Sequence, residues 1–377
     1  MRRLVVITAL LVLALSAFVS RMSLAQNGNL ARQAAPANAI PQASPTPPKK
    51  DEEITINSDE VVRVETNLTN VFFTAADRQK RFVSTLKRED VRILEDGVPQ
   101  EIFAFQPNSD LPLSLALLID CSGSEERTLP EEKNAARAFL ESVLRPEKDE
   151  AAIVSFTGEV TLEQGLTGNI GRLRRAIDEV RFVPPSGYIG GGVVVGGAPT
   201  PPISGSRQVL AGSTAIWDAI WATSNELLSG AAEHQRRAMI LLTDGEDTIS
   251  QVKMQDAINR ALKADALIYA IGIGDRYEFA INEPALKKLT EQTGGRAFFP
   301  TNERDLTVAF EQIERDLRER YLIAYSSTNK MRDGSYRKVS IEIVNPNVRH
   351  ENLKLNYRPG YFAKTAASEG SPSTKKP

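Results

Sequence analysis

The sequence predicts an α/β fold: an open, mainly parallel, Rossmann-like sheet flanked by helices, with β-sandwich-like segments on both sides. Two observations carry this prediction. Between about residues 111 and 320, apolar runs alternate with stretches whose apolar residues recur every three or four positions. Before and after this region, the chain shows short strand-like runs separated by turn signals. Strand–helix alternation over such a length is typical of an open α/β sheet.

Apolar runs predict the central strands, which are Leu113–Ile119, Ala151–Phe156, Ala238–Thr243 and Leu267–Ile273. Because these runs are apolar almost throughout, helices should cover both faces of the strands, as in a parallel sheet. Helical spacing of apolar residues predicts the elements between and after them. The predicted helices are Glu131–Val143, Ile170–Val180, Ala215–Leu228, Gln251–Ala264, Pro284–Thr293 and Asp305–Arg320.

The flanking segments are predicted to form β structure. The candidate strands before the α/β region are Val61–Thr66, Thr69–Ala75, Val91–Glu95 and Gln100–Phe105. Asp96-Gly97, between the last two, is a strong hairpin signal. The candidate strands after the region are Tyr321–Ser326, Tyr336–Val344 and Leu353–Tyr357. One hypothesis is that the two sets complete a single β-sandwich into which the α/β unit is inserted, and the alternative is two separate β appendages.

The N-terminal residues predict export. Arg2 and Arg3 precede an apolar run, Leu4–Val19, and Ser23-Leu24-Ala25 supplies small residues for cleavage. This is the layout of a secretory signal peptide, so we expect a secreted or periplasmic protein. The alternative is an uncleaved segment that anchors the chain in the inner membrane.

These patterns divide the chain into successive segments. The stretches outside the folded part have too little apolar content to offset the entropy of the chain, so we expect them to be disordered. The predicted organisation is a signal peptide at 1–25, a Pro/Ala-rich linker at 26–53, an N-terminal β segment at 54–108, the α/β domain at 109–320, a C-terminal β segment at 321–363 and a disordered tail at 364–377.

The composition excludes several classes of function. The formal net charge is −2, so the chain lacks the basic field that nucleic-acid binding needs. One cysteine, Cys121, can form neither an internal disulfide nor a four-cysteine zinc site. The two histidines, His234 and His350, lie next to no plausible nucleophile, so we predict that the protein is not an enzyme.

Oxygen-bearing side chains follow the predicted strands. Asp120, Ser122 and Ser124 form a D-x-S-x-S motif after the first strand, Thr214 opens a helix, and Asp244 follows a later strand. Because ligands bind beyond the carboxyl ends of such strands, we expect these side chains to converge there. Hard oxygen ligands suit Mg²⁺, with Mn²⁺ or Ca²⁺ as alternatives. Two carboxylates would roughly offset the charge of the cation and leave a coordination position for an acidic side chain of a partner.

With these motifs, the sequence resembles the von Willebrand factor A domain family over roughly 111–320. The resemblance implies a metal-ion-dependent adhesion site at Asp120, Ser122, Ser124, Thr214 and Asp244. It implies that both serines ligate the metal directly, Thr214 directly or through water, and Asp244 usually through water. The Leu94–Gln100 and Tyr357–Tyr361 segments are similar to VWFA-related exported proteins of acidobacterial genomes, a likeness that extends over nearly the whole mature chain.

The leading hypothesis is an exported, non-enzymatic protein that uses a divalent cation at this site to bind an Asp or Glu of a protein ligand. One alternative is an envelope scaffold in which the metal stabilises the fold. A lesser alternative is a metal-dependent hydrolase. No nucleic-acid partner is expected, and a membrane is expected only if the signal segment stays uncleaved.

Other residues near the motifs have two interpretations each. The Gly/Pro-rich segment 184–213 is either a loop that contacts the partner or gates the site, or a mobile insertion. Cys121 is either a redox-sensitive thiol or, as we favour, a small buried residue. We expect Trp217 and Trp221 to pack in the core. We interpret the acidic residues near the site as solvated charges at helix starts, with attraction of the cation as the alternative; they are Glu125, Glu126, Glu246 and Asp247.

Overall fold

Strands and helices alternate through the centre of the chain, as predicted. The structure is a computed structural model that describes residues 68–79, 81–107, 110–182, 213–231, 235–274, 280–349 and 352–365. Its strands are β1 Leu68–Ala76, β2 Val91–Glu95, β3 Val98–Gln100, β4 Ile102–Pro107, β5 Leu113–Asp120, β6 Glu150–Phe156, β7 Val160–Thr167, β8 Arg236–Thr243, β9 Ala266–Gly272, β10 Ala297–Phe298, β11 Tyr321–Ser326, β12 Tyr336–Ile343, β13 Lys354–Tyr357 and β14 Gly360–Phe362. Its helices are α1 Leu129–Val143, α2 Ile170–Glu179, α3 Ile216–Ala222, α4 Met254–Lys263, α5 Glu283–Thr293, α6 Glu303–Arg318 and α7 Pro346–Arg349.

A six-stranded sheet forms the centre of the α/β region, in the order β10-β9-β8-β5-β6-β7. Its neighbouring strands are parallel except for β7, which pairs with β6 in the antiparallel sense. Every residue of β5 is buried. Leu115, Leu117 and Ile119 belong to one hydrophobic core, whereas Ala116 and Leu118 belong to another. Because side chains alternate between the faces of a strand, the sheet has a core on each side.

Helices cover both faces of this sheet and complete the two cores. α1, α2 and α6 supply buried residues to one core, and α3, α4 and α5 supply them to the other. The predicted α/β fold class is therefore confirmed. α3 continues as a π-helical segment, Thr223–Leu228, within the span predicted as one helix. None of the helices in the described residues has the length and apolar character needed to cross a membrane.

The flanking segments pair with each other in two antiparallel sheets. Their strand orders are β13-β1-β11-β4 and β14-β12-β2-β3, so each sheet combines strands from before and after the α/β region. A third hydrophobic core joins them, with Phe73 and Ile93 from the first segment and Tyr325 and Ile341 from the second. This arrangement is the one that the shared-sandwich hypothesis describes, with the α/β unit inserted between β4 and β11.

Several predicted strands need correction. The single strand predicted over Gln100–Phe105 is wrong, because Gln100 ends β3 and Ile102 begins β4, and these strands lie in different sheets. The short or half-exposed strands β7, β10 and β14 have no long apolar run and were not predicted. The strand predicted at Val61–Thr66, the signal peptide and the linker lie outside the described residues.

Two turns need residues with a positive φ angle. The β2–β3 hairpin turns through Asp96 and Gly97, at φ values of 49° and 81°, as the Asp-Gly signal predicts. α5 ends at Gly294, which has a φ of 81°. A Cβ atom on Gly294 would lie 2.4 Å from the backbone nitrogen of Arg358. Glycine at this position therefore ends the helix and lets the C-terminal β segment approach it.

A buried ion pair joins β2 and β12, two neighbouring strands of the β-sandwich. The carboxylate of Glu95 on β2 lies 3.2 Å from the guanidinium of Arg337 on β12. Tyr325 and Tyr361 donate hydrogen bonds of 2.7 and 2.8 Å to the same carboxylate, and Ser327 donates another. Burial raises the pKa of Glu95, but these hydrogen bonds and the charge of Arg337 outweigh it, so the pKa lies below its usual value.

We predict that Glu95→Gln lowers the free energy of unfolding by about 3–5 kcal/mol, because it leaves the Arg337 charge buried without a compensating charge. Urea denaturation at pH 7 measures the loss. Since the pKa of Glu95 is lower in the folded chain, its contribution to stability is present above the unfolded-state pKa and is lost as the pH falls through the folded-state pKa. The difference between the wild type and the variant should therefore shrink below about pH 4.

Glu342→Gln is the matched control on the same pair of strands. Glu342 pairs with Arg92 at 2.6 Å, but both side chains are about half exposed. Its removal should change the free energy of unfolding by less than about 1 kcal/mol. Equal losses in the two variants would contradict the role of the buried pair.

Candidate metal centre

The carboxyl ends of β5 and β8 bring the first two parts of the site together. These strands are parallel neighbours in which Ile119 lies opposite Leu242, so Asp120 and Thr243 end them side by side. The Thr243 hydroxyl donates a 2.6 Å hydrogen bond to one oxygen of the fully buried Asp120 carboxylate. The backbone N–H of Ser122 donates a 2.9 Å bond to the other oxygen. Asp120 is therefore held in one orientation by both strand ends.

The loop after Asp120 places both serines of the motif near Asp244. The hydroxyl oxygens of Ser122 and Ser124 lie 3.3 Å apart, and Ser124 is close enough to Asp244 to oppose the rise that burial causes in the pKa of that carboxylate. Asp244 also accepts a 2.9 Å bond from the backbone N–H of Glu246, which fixes its carboxylate within its own turn. Four of the predicted residues thus lie together at one edge of the sheet.

Thr214 reaches this edge from a third segment. It is buried, and its backbone N–H donates a 2.8 Å hydrogen bond to the hydroxyl of Thr248, four residues after Asp244. The backbone N–H of Thr248 donates a 2.9 Å bond back to the carbonyl of Thr214. The contacts that join Thr214 to the other loops therefore run through its backbone and Thr248. Most of the predicted segment 184–213 lies outside the described residues.

A third carboxylate, that of Glu125, completes an acidic cluster. One carboxylate oxygen from each of Asp120, Glu125 and Asp244 lies within 4.8 Å of the others. Glu125 is fully buried, so its interpretation as a solvated charge at a helix start is wrong. The Thr128 hydroxyl donates a 2.7 Å bond to its Oε2, whereas Oε1 is buried without a hydrogen-bond partner in the described chain.

Glu132 on α1 lies behind this cluster, and sequence reasoning missed it. It is 1% exposed, and neither of its carboxylate oxygens has a hydrogen-bond partner in the described part of the chain. It lies on the buried face of α1 with Leu129, Ala136 and Phe139. An acidic residue at a core-facing position of an amphipathic helix was the signal that could have identified it.

Burial and mutual repulsion weaken the acidity of these groups. Burial raises the pKa of Asp120 to about 7, with help from the negative charge of Asp244 and against hydrogen bonds from Thr243 and Ser122. Burial likewise raises the pKa of Glu132 to about 7. The pKa of Glu125 lies well above its usual value because of burial and the charges of Glu132 and Asp120. The cluster is therefore costly to ionise without a cation.

These residues fit a divalent metal ion. Their potential ligand atoms are carboxylate and hydroxyl oxygens, which hard cations prefer. Oxygens on opposite sides of an octahedral Mg²⁺ are about 4.2 Å apart, and adjacent ones are closer. The three carboxylate oxygens, which all lie within 4.8 Å of one another, are near enough to share one ion. A cation would also neutralise the buried charges and occupy the side of Glu125 Oε1 that has no hydrogen-bond donor.

Other residues that the sequence singles out differ in their burial and contacts. Cys121 is 2% exposed, and burial together with the charge of Asp120 raises the pKa of its thiol. It is therefore a buried, protonated thiol. Trp217 is buried as predicted, but Trp221 is 36% exposed, so its prediction as a core residue is wrong. Asp247 accepts a 2.8 Å bond from the backbone N–H of Ile216 at the start of α3.

A family match covers part of the chain, including Thr214 and Asp244. Residues 203–312 match the von Willebrand factor type A domain family. A comparison with curated proteins finds no match to this chain.

Solved structures with a similar arrangement have low sequence identity. The conserved hypothetical protein BatB from Bacteroides thetaiotaomicron is 15% identical, with a TM-score of 0.41 over 55% of this chain and 100% of that chain. Proximal thread matrix protein 1 from the mussel byssus, solved with a zinc-occupied MIDAS motif, is 18% identical, with a TM-score of 0.43 over 60% of this chain and 50% of that chain. A von Willebrand factor type A protein from Catenulispora acidiphila is 12% identical, with a TM-score of 0.42 over 80% and 74%.

We predict that the metal-free protein loses thermal stability as the pH rises from about 5 to 8. Asp120 and Glu132 have pKa values near 7 in the folded chain, above those of unfolded carboxyl groups, so the folded state binds more protons in this range. Thermal unfolding in chelator should show the fall, and saturating Mg²⁺ should abolish it. A midpoint that is independent of pH in chelator would contradict this account.

We predict that Glu125→Gln weakens divalent-cation binding about tenfold, because it removes one of three negative charges around the cation. Isothermal titration of the full chain with Mn²⁺ measures the change. Glu126→Gln is the control, because Glu126 is only half-buried and lies in the same turn. The affinity of the Glu126→Gln variant for Mn²⁺ should stay within about threefold of the wild type, since solvent screens the charge of Glu126. Equal effects would contradict a specific role of Glu125.

Proposed function

This chain carries a von Willebrand factor type A domain, as its motifs predicted, and we propose that it is an exported, non-enzymatic protein that binds a protein ligand through a divalent cation. The cation, Mg²⁺ in this proposal, lies among Asp120, Ser122, Ser124, Thr214 and Asp244. The ligand contributes an Asp or Glu carboxylate. The family match supports metal-dependent binding, and the geometry of the site supports the choice of residues.

One observation carries this proposal: three buried carboxylates converge on a point that also faces two neutral hydroxyl groups. Such a set attracts a dication, and an octahedral ion would keep a coordination position for water or for an incoming carboxylate oxygen. When bound, the cation supplies a Lewis-acidic position that a carboxylate oxygen can occupy. The chain's own residues orient the carboxylates, since Thr243 and the backbone of Ser122 fix Asp120 while Glu246 fixes Asp244.

The chemistry around the site favours binding over catalysis. Catalysis would need a nucleophile or a general base with access to a substrate. The thiol of Cys121 is buried and protonated, and the hydroxyl of Thr243 is already donated to Asp120. We therefore expect no turnover of ester or phosphate substrates. Export rests on Arg2, Arg3 and the apolar run that follows them, which lie outside the described residues.

A peptide-binding experiment tests this function. The immobilised full chain is presented with an array of peptides that contain Asp or Glu, each paired with its Asn or Gln counterpart. We expect binding of acidic peptides in Mg²⁺, loss of binding in chelator, and loss of at least tenfold in affinity for the neutral counterparts. Asp120→Asn should abolish the divalent-dependent binding while the chain stays folded.

Glu126→Gln serves as the control variant and should bind as the wild type does. Binding that persists in chelator, or that does not distinguish acidic from neutral peptides, would contradict the proposal.

A scaffolding role for the metal is the second candidate, and the depth of the cluster favours it. Asp120, Glu125 and Glu132 are all within the folded core, so a bound cation would also stabilise the fold. On this account, chelation lowers the thermal midpoint, and no carboxylate-bearing peptide binds at any Mg²⁺ concentration. The peptide array therefore separates the two functions.

A further inference from the structure

A cavity lined by arginine and apolar side chains lies at the opposite edge of the central sheet from the candidate metal centre. It lies where β5, β8 and β9 begin and where α6 ends. Two residues of the β-sandwich, Phe72 and Arg358, also line it. Four guanidinium groups face it, from Arg236, Arg237, Arg320 and Arg358, against one carboxylate, that of Asp265. The cavity therefore concentrates positive charge in the interior of the protein.

The arginines differ in what they bind. Arg236 and Arg237 donate to backbone carbonyl groups, at distances of 2.7 to 3.2 Å for the Leu111, Ala231 and Ala264 oxygens. Arg358 pairs with Asp265 and donates a 2.7 Å bond to the carbonyl of Asn70 on β1. The single carboxylate in the cavity is thus already engaged by one arginine.

Arg320 has no comparable partner. It is 1% exposed, and it is the largest fully buried side chain of the described residues. Its Nη2 lies 3.4 Å from the Tyr269 hydroxyl, while Nε and Nη1 have no hydrogen-bond partner in the described chain. A guanidinium keeps its proton at any physiological pH, so this charge cannot be removed by deprotonation. A buried, unpaired charge of this kind is costly, so the folded chain is incomplete without a counter-charge.

The neighbouring groups make the need for an anion stronger. Burial, followed by the positive charges of Arg320 and Arg145, lowers the pKa of Arg236 to about 10. Buried apolar side chains, Leu113 and Leu317 among them, form other parts of the wall. An acidic side chain of another macromolecule would have to enter this enclosed space, whereas a small ion can diffuse in.

We propose that this cavity binds a small inorganic anion, which accepts a hydrogen bond from one of the two unpartnered nitrogen atoms of Arg320, Nε or Nη1, and balances the positive charge of the cluster. Because the cavity is lined by Leu317 at the end of α6, by β8 residues and by Arg358 of the sandwich, the bound anion links the α/β unit to the β-sandwich. The site is independent of the candidate metal centre.

Thermal unfolding of the full chain in chelator tests this proposal. Chloride and phosphate are titrated separately, and a bulky organic sulfonate keeps the ionic strength constant. We expect one of the two anions to raise the unfolding midpoint in a saturable way, by about 5 °C at a concentration about 100-fold above Kd. No anion-specific rise in the wild type would overturn the proposal.

Two variants and one crystallographic measurement make the test specific. Arg320→Gln should lose the anion response, whereas Arg315→Gln, at an exposed position of the preceding helix α6, should keep it. An unchanged response in Arg320→Gln would overturn the proposal.

If that variant does not fold, crystals of the wild-type protein decide the question. They are grown with the heavier analogue of the anion, bromide for chloride or arsenate for phosphate. An anomalous peak beside the Arg320 guanidinium supports the site, and peaks confined to the protein surface overturn it.

Discussion

The hydrogen bond from the Thr243 hydroxyl to the Asp120 carboxylate joins the ends of two neighbouring parallel strands, and the candidate metal centre depends on it. Because Asp120 is fully buried, its charge must be compensated within the fold. The local hydrogen bonds orient this carboxylate but leave its pKa raised to about 7, so they do not compensate the charge fully. The serines, Glu125 and Asp244 are arranged around the same point. The carboxylates at this edge of the sheet therefore need a positive charge, and none of the described residues around them supplies it.

Two other buried charges in the molecule, those of Glu95 and Arg320, also need compensation, and only the first receives it from the described chain. In the sandwich, the buried carboxylate of Glu95 is balanced by Arg337, Ser327 and two tyrosines, so the charge is compensated by the chain alone. At the far edge of the central sheet, the buried Arg320 has too few partners in the described chain. Among the described residues, the Glu95 cluster thus compensates its own charge, whereas the clusters at Asp120 and Arg320, of opposite sign, call for an ion from solution.

Much of the fold and part of the site could be predicted from the sequence because the signals are local. Long apolar runs identified β5, β6, β8 and β9, and the D-x-S-x-S pattern identified Asp120 and its serines. β7 was missed because its half-buried residues form no continuous apolar run. Glu125 and Glu132 could not be assigned correctly, because their burial depends on how α1 packs against the sheet. The pairing of the two β segments was proposed from the strands predicted on each side of the α/β region. Its register depends on contacts across more than two hundred residues and required the structure.

The insertion of the α/β unit also constrains how the chain reaches its folded state. Pro107 at the end of β4 lies opposite Tyr321 at the start of β11, so one strand pair encloses the entire α/β region. The first β segment therefore leaves the ribosome with its apolar strand faces uncovered, long before its partner strands are synthesised. The central region, in contrast, contains all of the strands of its own sheet and can fold once it has emerged. Completion of the sandwich is thus a late event, and until then an unpaired β1 is open to mispairing with other chains.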